Sequence, residues 1–157
     1  MIATIFLALL CLSSALLAWI DLRRGIIPDW LNLVIAVAGL ARAVILDGWA
    51  AAVSAACEGI IIGAIVWLLR RLYFMLRKFQ GLGLGDVKLL AASGTWIGVA
   101  GVPMQLLVAS LTALAAAGVM QLAGRTMTRQ TSLPFGPFLA LGLLLVTLAL
   151  QQTGLIS

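Results

Sequence analysis

The run Gly81-Leu82-Gly83-Leu84-Gly85-Asp86-Val87-Lys88-Leu89 sets an aspartate at the mouth of an apolar segment. A carboxylate is expensive at membrane depth and is rarely placed there without a task. Gly81, Gly83 and Gly85 leave the backbone before it free of side chains. A second aspartate, Asp21, closes another apolar segment in the same way. Two carboxylates on one membrane face point to acid–base chemistry.

The chain around them is built for lipid. Of its 157 residues, 64% are hydrophobic and 10% charged, with a mean hydropathy of +1.20. A soluble domain carries about 45–50% apolar and about 25% charged residues. An all-α integral membrane protein forming a single domain over residues 1–157 is expected. The first apolar stretch has no Lys or Arg ahead of it, which a secretory signal requires, so it reads as a retained helix.

Composition also narrows the chemistry. There is no histidine, and the two cysteines, Cys11 and Cys57, lie far apart inside apolar segments. Zinc sites of Cys and His are excluded, as are Ser/His and Cys/His catalysis. No metal and no cofactor is expected. Five acids remain as candidates: Asp21, Asp29, Asp47, Glu58 and Asp86.

A spanning helix needs about 20 apolar residues. Six candidates emerge: residues 2–20, 30–46, 49–69, 86–100, 102–123 and 135–151. The second and third meet at a tight turn, Asp47-Gly48. The fourth is short and ends at Gly101-Val102-Pro103. Arg23 and Arg24, then Arg70, Arg71, Arg77, Lys78 and Lys88, then Arg125 and Arg129, fall on the odd connections; Arg42 alone falls elsewhere. The positive-inside rule makes the odd side cytoplasmic and puts both termini outside. The net charge of +5 is thus accounted for by membrane orientation, and no nucleic-acid partner is expected. Residues 70–85 mix basic, aromatic and aliphatic side chains, as a helix extension or an interfacial anchor would.

Each acid has a plain reading beside a chemical one. Closely placed carboxylates do not both ionise easily, so one holds a proton while the other is charged. That state suits peptide hydrolysis: one takes a proton from water, the other polarises the scissile carbonyl. On the plain reading Asp86 only caps a helix start, but Asp21, at a helix end, has the wrong charge for that position. Asp29 follows Pro28 and is expected to cap the second helix. Asn32 is placed to hydrogen-bond a substrate backbone. Asp47 needs only turn chemistry. Glu58, mid-helix, is expected to be hydrogen-bonded between helices, with service to the site as the alternative. Pro134-Phe135-Gly136-Pro137 reads as a rigid turn opening the last helix.

Two motifs together, Asp21-Leu22-Arg23-Arg24-Gly25-Ile26-Ile27-Pro28-Asp29 and Gly83-Leu84-Gly85-Asp86-Val87-Lys88-Leu89, resemble the type IV prepilin peptidases, GxGD aspartic proteases of bacterial membranes. Leu133-Pro134-Phe135-Gly136-Pro137-Phe138-Leu139-Ala140 resembles that family's last-helix signature. The resemblance implies a six-helix bundle in the bacterial inner membrane. It implies cleavage of the basic leader of prepilins or pseudopilins at the cytoplasmic face, with Asp21 and Asp86 as the catalytic pair. Gly83 and Gly85 would let the loop approach an extended substrate, with Pro28, Asn32 and Lys88 shaping or binding nearby.

Larger members of that family carry an N-terminal region, often with two CxxC pairs, and also methylate the new terminus. This chain resembles the short, peptidase-only form of Tad/Flp-type pilus systems, for which neither zinc nor S-adenosylmethionine is expected. Presenilin and signal peptide peptidase match less well, because their Tyr-Asp and Pro-Ala-Leu motifs are missing. A proton-coupled transporter or a catalytically silent pilus-assembly subunit is the alternative class. A transporter would place its acids near the midplane.

Overall fold

A computed structural model describes residues 1–77, 83–123 and 134–153. Those residues form five helices: α1 (Ile2–Arg24), α2 (Asp29–Asp47), α3 (Trp49–Arg77), α4 (Leu84–Leu122) and α5 (Gly136–Gln152). Among them, α1 to α4 are each long and apolar enough to cross a membrane; α5 is apolar but shorter, at 17 residues. The protein is a multi-pass membrane protein.

Packing follows the interior stripe of each helix. In α1 the buried residues are Leu10, Ser13, Ser14, Leu17 and Asp21, a helical spacing of three and four that carries straight to the aspartate. In α2 they are Leu31, Asn32, Ile35, Ala38, Gly39, Arg42 and Ala43. The opposite faces stay apolar and exposed, as Leu12, Val37 and Ile60 do, because lipid solvates them. α4 packs against α2, α3 and α5, and α1 against α2 and α5. Trp96 of α4 is the largest fully enclosed side chain; its indole N–H donates to the Ile35 carbonyl at 2.8 Å. Between α3 and α4, Gly59 and Gly94 meet backbone to backbone, so a Cβ on either would strike the other helix.

The expected break between the fourth and fifth segments lies elsewhere. The helix is continuous through Gly101-Val102-Pro103, and the one non-helical residue inside α4 is Gly98, at φ 66 and ψ 179. Proline is tolerated near the start of a helical limb. Glycine alone adopts this left-handed φ without strain. A straight helix would hold Ser93 and Gln105 about 18 Å apart, yet the Gln105 amide donates to the Ser93 hydroxyl at 3.0 Å. The limbs 84–97 and 99–122 therefore lie side by side. Gln105 also donates to the Leu139 carbonyl at 3.0 Å, tying both limbs to α5.

Two further boundaries differ from expectation. α3 runs on past residue 69 to Arg77, so residues 70–77 take the helix-extension form, one of the two that the sequence allowed. Its 29 residues span about 43 Å, more than a hydrocarbon core of about 30 Å. α1 likewise continues past residue 20 to Arg24, where Gly25 at φ 62 stops it. Gly81, Lys78, Arg125 and Arg129 lie outside the described residues.

Candidate active site

Asp21 and Asp86 come from helices far apart in sequence and line one cavity of ≈ 870 Å³. Gly25, Ile27, Gly83, Gly85, Lys88 and Phe135 share its wall. The two carboxyl groups are near enough for the charge of Asp21 to act on Asp86.

Each carboxylate is held by the start of a helix. Asp21 is 5% exposed, and its Oδ2 accepts the Gly136 backbone N–H at 3.1 Å. Gly136 is the first residue of α5, where backbone N–H groups have no partner within the helix. The misfit noted in the sequence is thereby resolved. Asp21 is the wrong charge for the end of α1, but it serves the beginning of α5. Asp86 is the third residue of α4, and the backbone N–H of Gly83, the N-cap, favours its charged form. Asp86 thus holds the position from which a capping box reaches back to the N-cap.

Close approach is what the glycines supply. A Cβ on Gly136 would lie 2.5 Å from Asp21 Oδ2 and 3.0 Å from Ile27 Cδ1. A Cβ on Gly85 would lie 2.8 Å from Ile27 Cβ. Ile27 is thus wedged between the Gly85 and Gly136 backbones and locks the connection between α1 and α2 against both. Gly83 stands 3.2 Å, at the same virtual Cβ, from Asp86 Oδ2.

Lys88 lies on the cavity rim but not alone. Its ammonium contacts both oxygens of Asp29 at 2.7 Å, with the side chains 49% and 72% exposed. Asp29 therefore does not cap α2 through its side chain as expected: Pro28 is the N-cap, and no side-chain cap bond forms. Pro28 shapes the turn and is not part of the cavity wall. Asn32, one turn further along α2, is 5% exposed and lies outside the cavity.

Glu58 is set apart. Its Oε2 accepts the Val99 N–H at 2.7 Å, capping the second limb of α4 just past Gly98. Gly98 is about 18 Å along the helix from Asp86. The hydrogen bond between helices was expected; the helix that it caps was not. Gly136 and Ile27 were the residues missed. The Pro134-Phe135-Gly136-Pro137 motif was visible, but nothing in it names Asp21 as partner. Among the described residues no group of three or more potential metal ligands is gathered.

The fold and site together define a polytopic helical membrane protein with paired carboxylates in a cavity at one end of the bundle. The family model described as the type IV leader peptidase family matches residues 7–118, and the chain belongs to that family. Among its relatives is a "Prepilin leader peptidase/N-methyltransferase" of Burkholderia pseudomallei (strain 1026b), 42% identical over 134 residues. That match covers 85% of this chain and 42% of the relative. A protein of the same name from Escherichia coli (strain K12) is 38% identical over 130 residues, covering 80% of this chain and 55% of the relative. The chain thus spans about half the length of these relatives. No solved structure matches it.

Proposed function

We propose that this protein is an aspartic endopeptidase that removes the basic leader of prepilins or pseudopilins. The observation that carries the reading is the meeting of Asp21 and Asp86 on one cavity wall, each braced by a helix N-terminus. One carboxyl group is ionised and takes a proton from a water molecule. The water oxygen attacks the scissile carbonyl carbon, while the protonated partner donates to the carbonyl oxygen. Collapse of the tetrahedral species breaks the C–N bond, and the departing amine takes up a proton. Neither a thiol nor a metal is needed in this scheme.

The limbs 84–97 and 99–122 count as two crossings on this reading, making six with both termini outside. The basic residues Arg23, Arg24, Arg70, Arg71 and Lys88 then mark the cytoplasmic face of the bacterial inner membrane, where the cavity opens. Methyl transfer belongs to the relatives' name. We carry over to this chain only what paired carboxylates perform.

The test is cleavage of a prepilin by the purified chain in lipid. Processing is expected with wild type, in EDTA, and with Cys11→Ser plus Cys57→Ser. The mature product should have an unmethylated N-terminus by mass spectrometry. No cleavage by wild type, or zinc-dependent cleavage, would overturn the reading.

A further inference from the structure

The Asp29–Lys88 pair rims two spaces at once. One is the catalytic cavity; the other is an apolar groove of ≈ 470 Å³ between α2, α3 and α4. From the ion pair the groove follows α2 past Asn32, Ala36 and Leu40, with Ile60 on its outer lip. That is about 16 Å of helix leading away from the carboxylates into the bilayer. It meets the cavity at the Asp29–Lys88 pair and is open along its side.

Asn32 lines this groove and is 5% exposed. Among the described residues neither its Oδ1 nor its Nδ2 has a hydrogen-bond partner. Burying an amide with both halves unpaired is costly, and buried polar groups are almost always matched. An asparagine amide offers one acceptor and two donors on adjacent atoms. The main chain of an extended peptide offers the complementary C=O and N–H.

We infer that Asn32 binds the substrate main chain just beyond the scissile bond, and that the groove receives the apolar segment which follows. The inference rests on the proposed peptidase reading. A basic leader is excluded from an apolar groove, so the segment that enters lies on the other side of the cleaved bond. The leader stays in water at the cavity mouth, beside Asp21, Asp29 and Asp86. The amide atoms of Asn32 are screened from water in this structure, so the substrate displaces a neighbour to reach them. The Asp29–Lys88 pair is the contact most able to yield, being exposed and hence weakly held.

Steady-state cleavage of a prepilin by the full chain in nanodiscs tests this. Asn32→Ala should raise KM roughly tenfold, the loss of one or two neutral hydrogen bonds, with kcat within about twofold. An unchanged KM, or a fall in kcat alone, overturns the inference. A second measurement stands whether or not that variant folds. A photoreactive side chain at Ile60, in an Asp86→Asn chain, should crosslink to the apolar segment of added prepilin. The same group at Leu114, on the second limb of α4, should not. Absence of the Ile60 crosslink, with wild type still cleaving, overturns the inference and leaves the peptidase reading intact. A wild type that leaves the prepilin uncut breaks the peptidase reading itself, and the inference with it.

Discussion

At one end of the bundle Asp21 accepts the backbone N–H of Gly136 and Asp86 stands in the first turn of α4 beside Gly83; at the other, Glu58 accepts the N–H of Val99. All three acids stand at the start of a helix or of a helical limb. Capping alone therefore does not single out the catalytic candidates. Pairing does. Asp21 and Asp86 face one cavity, and the charge of Asp21 acts on Asp86. Glu58 is pressed against Gly98, with a virtual Cβ there only 2.5 Å from its Oε2. It holds a chain reversal in place. A carboxylate in a membrane protein thus has structural work to do at either end, and chemistry is added where a second carboxylate shares the space.

The largest expected effect comes from breaking the pair. Asp21→Asn and Asp86→Asn should each lower prepilin cleavage by about 10³-fold or more, while the amide keeps the cap and the melting temperature moves little. The double variant should lose no more than either single one, because the two groups act as a unit. Wild-type rates from either variant would dissolve the distinction between the two ends.

Gly136→Ala sharpens the comparison at the same end. The added methyl would press on Asp21 Oδ2 and Ile27. A displaced catalytic group can cost about 10²-fold. That loss should appear in kcat with the fold retained, as read by gel filtration.

At the far end the balance should invert. Glu58→Gln weakens a charge-assisted bond at a limb start and should cost about 1–2 kcal/mol of stability. Cleavage per folded molecule should stay within about twofold. Gly98→Ala should cost more than Glu58→Gln, because the left-handed φ and the Glu58 contact are both violated. If Glu58→Gln destroyed cleavage without destabilising the protein, the far end would belong to the chemistry.

The smallest effect is expected at the rim. Lys88→Ala removes an exposed ion pair and should change stability by about 1 kcal/mol or less. A large loss of stability would show that the pair clamps α2 to α4 rather than yielding to substrate.

Sequence alone determined the membrane class, the approximate helical segments and the two unusual aspartates. Those properties are local: a carboxylate ending an apolar run, or 20 apolar residues in a row, carries its cost wherever the run is packed. What the tertiary structure decided is partnership. Gly136 lies 115 residues from Asp21, Lys88 59 from Asp29, and Val99 41 from Glu58. No spacing rule links them, since each pairing depends on which helices pack side by side. The reversal in α4 shows the same division. The sequence pointed to a break at Gly101-Val102-Pro103, and the reversal lies at Gly98 instead. The turn formed where Glu58 of a neighbouring helix could take the freed N–H of Val99, a contact that exists only once α3 and α4 are packed.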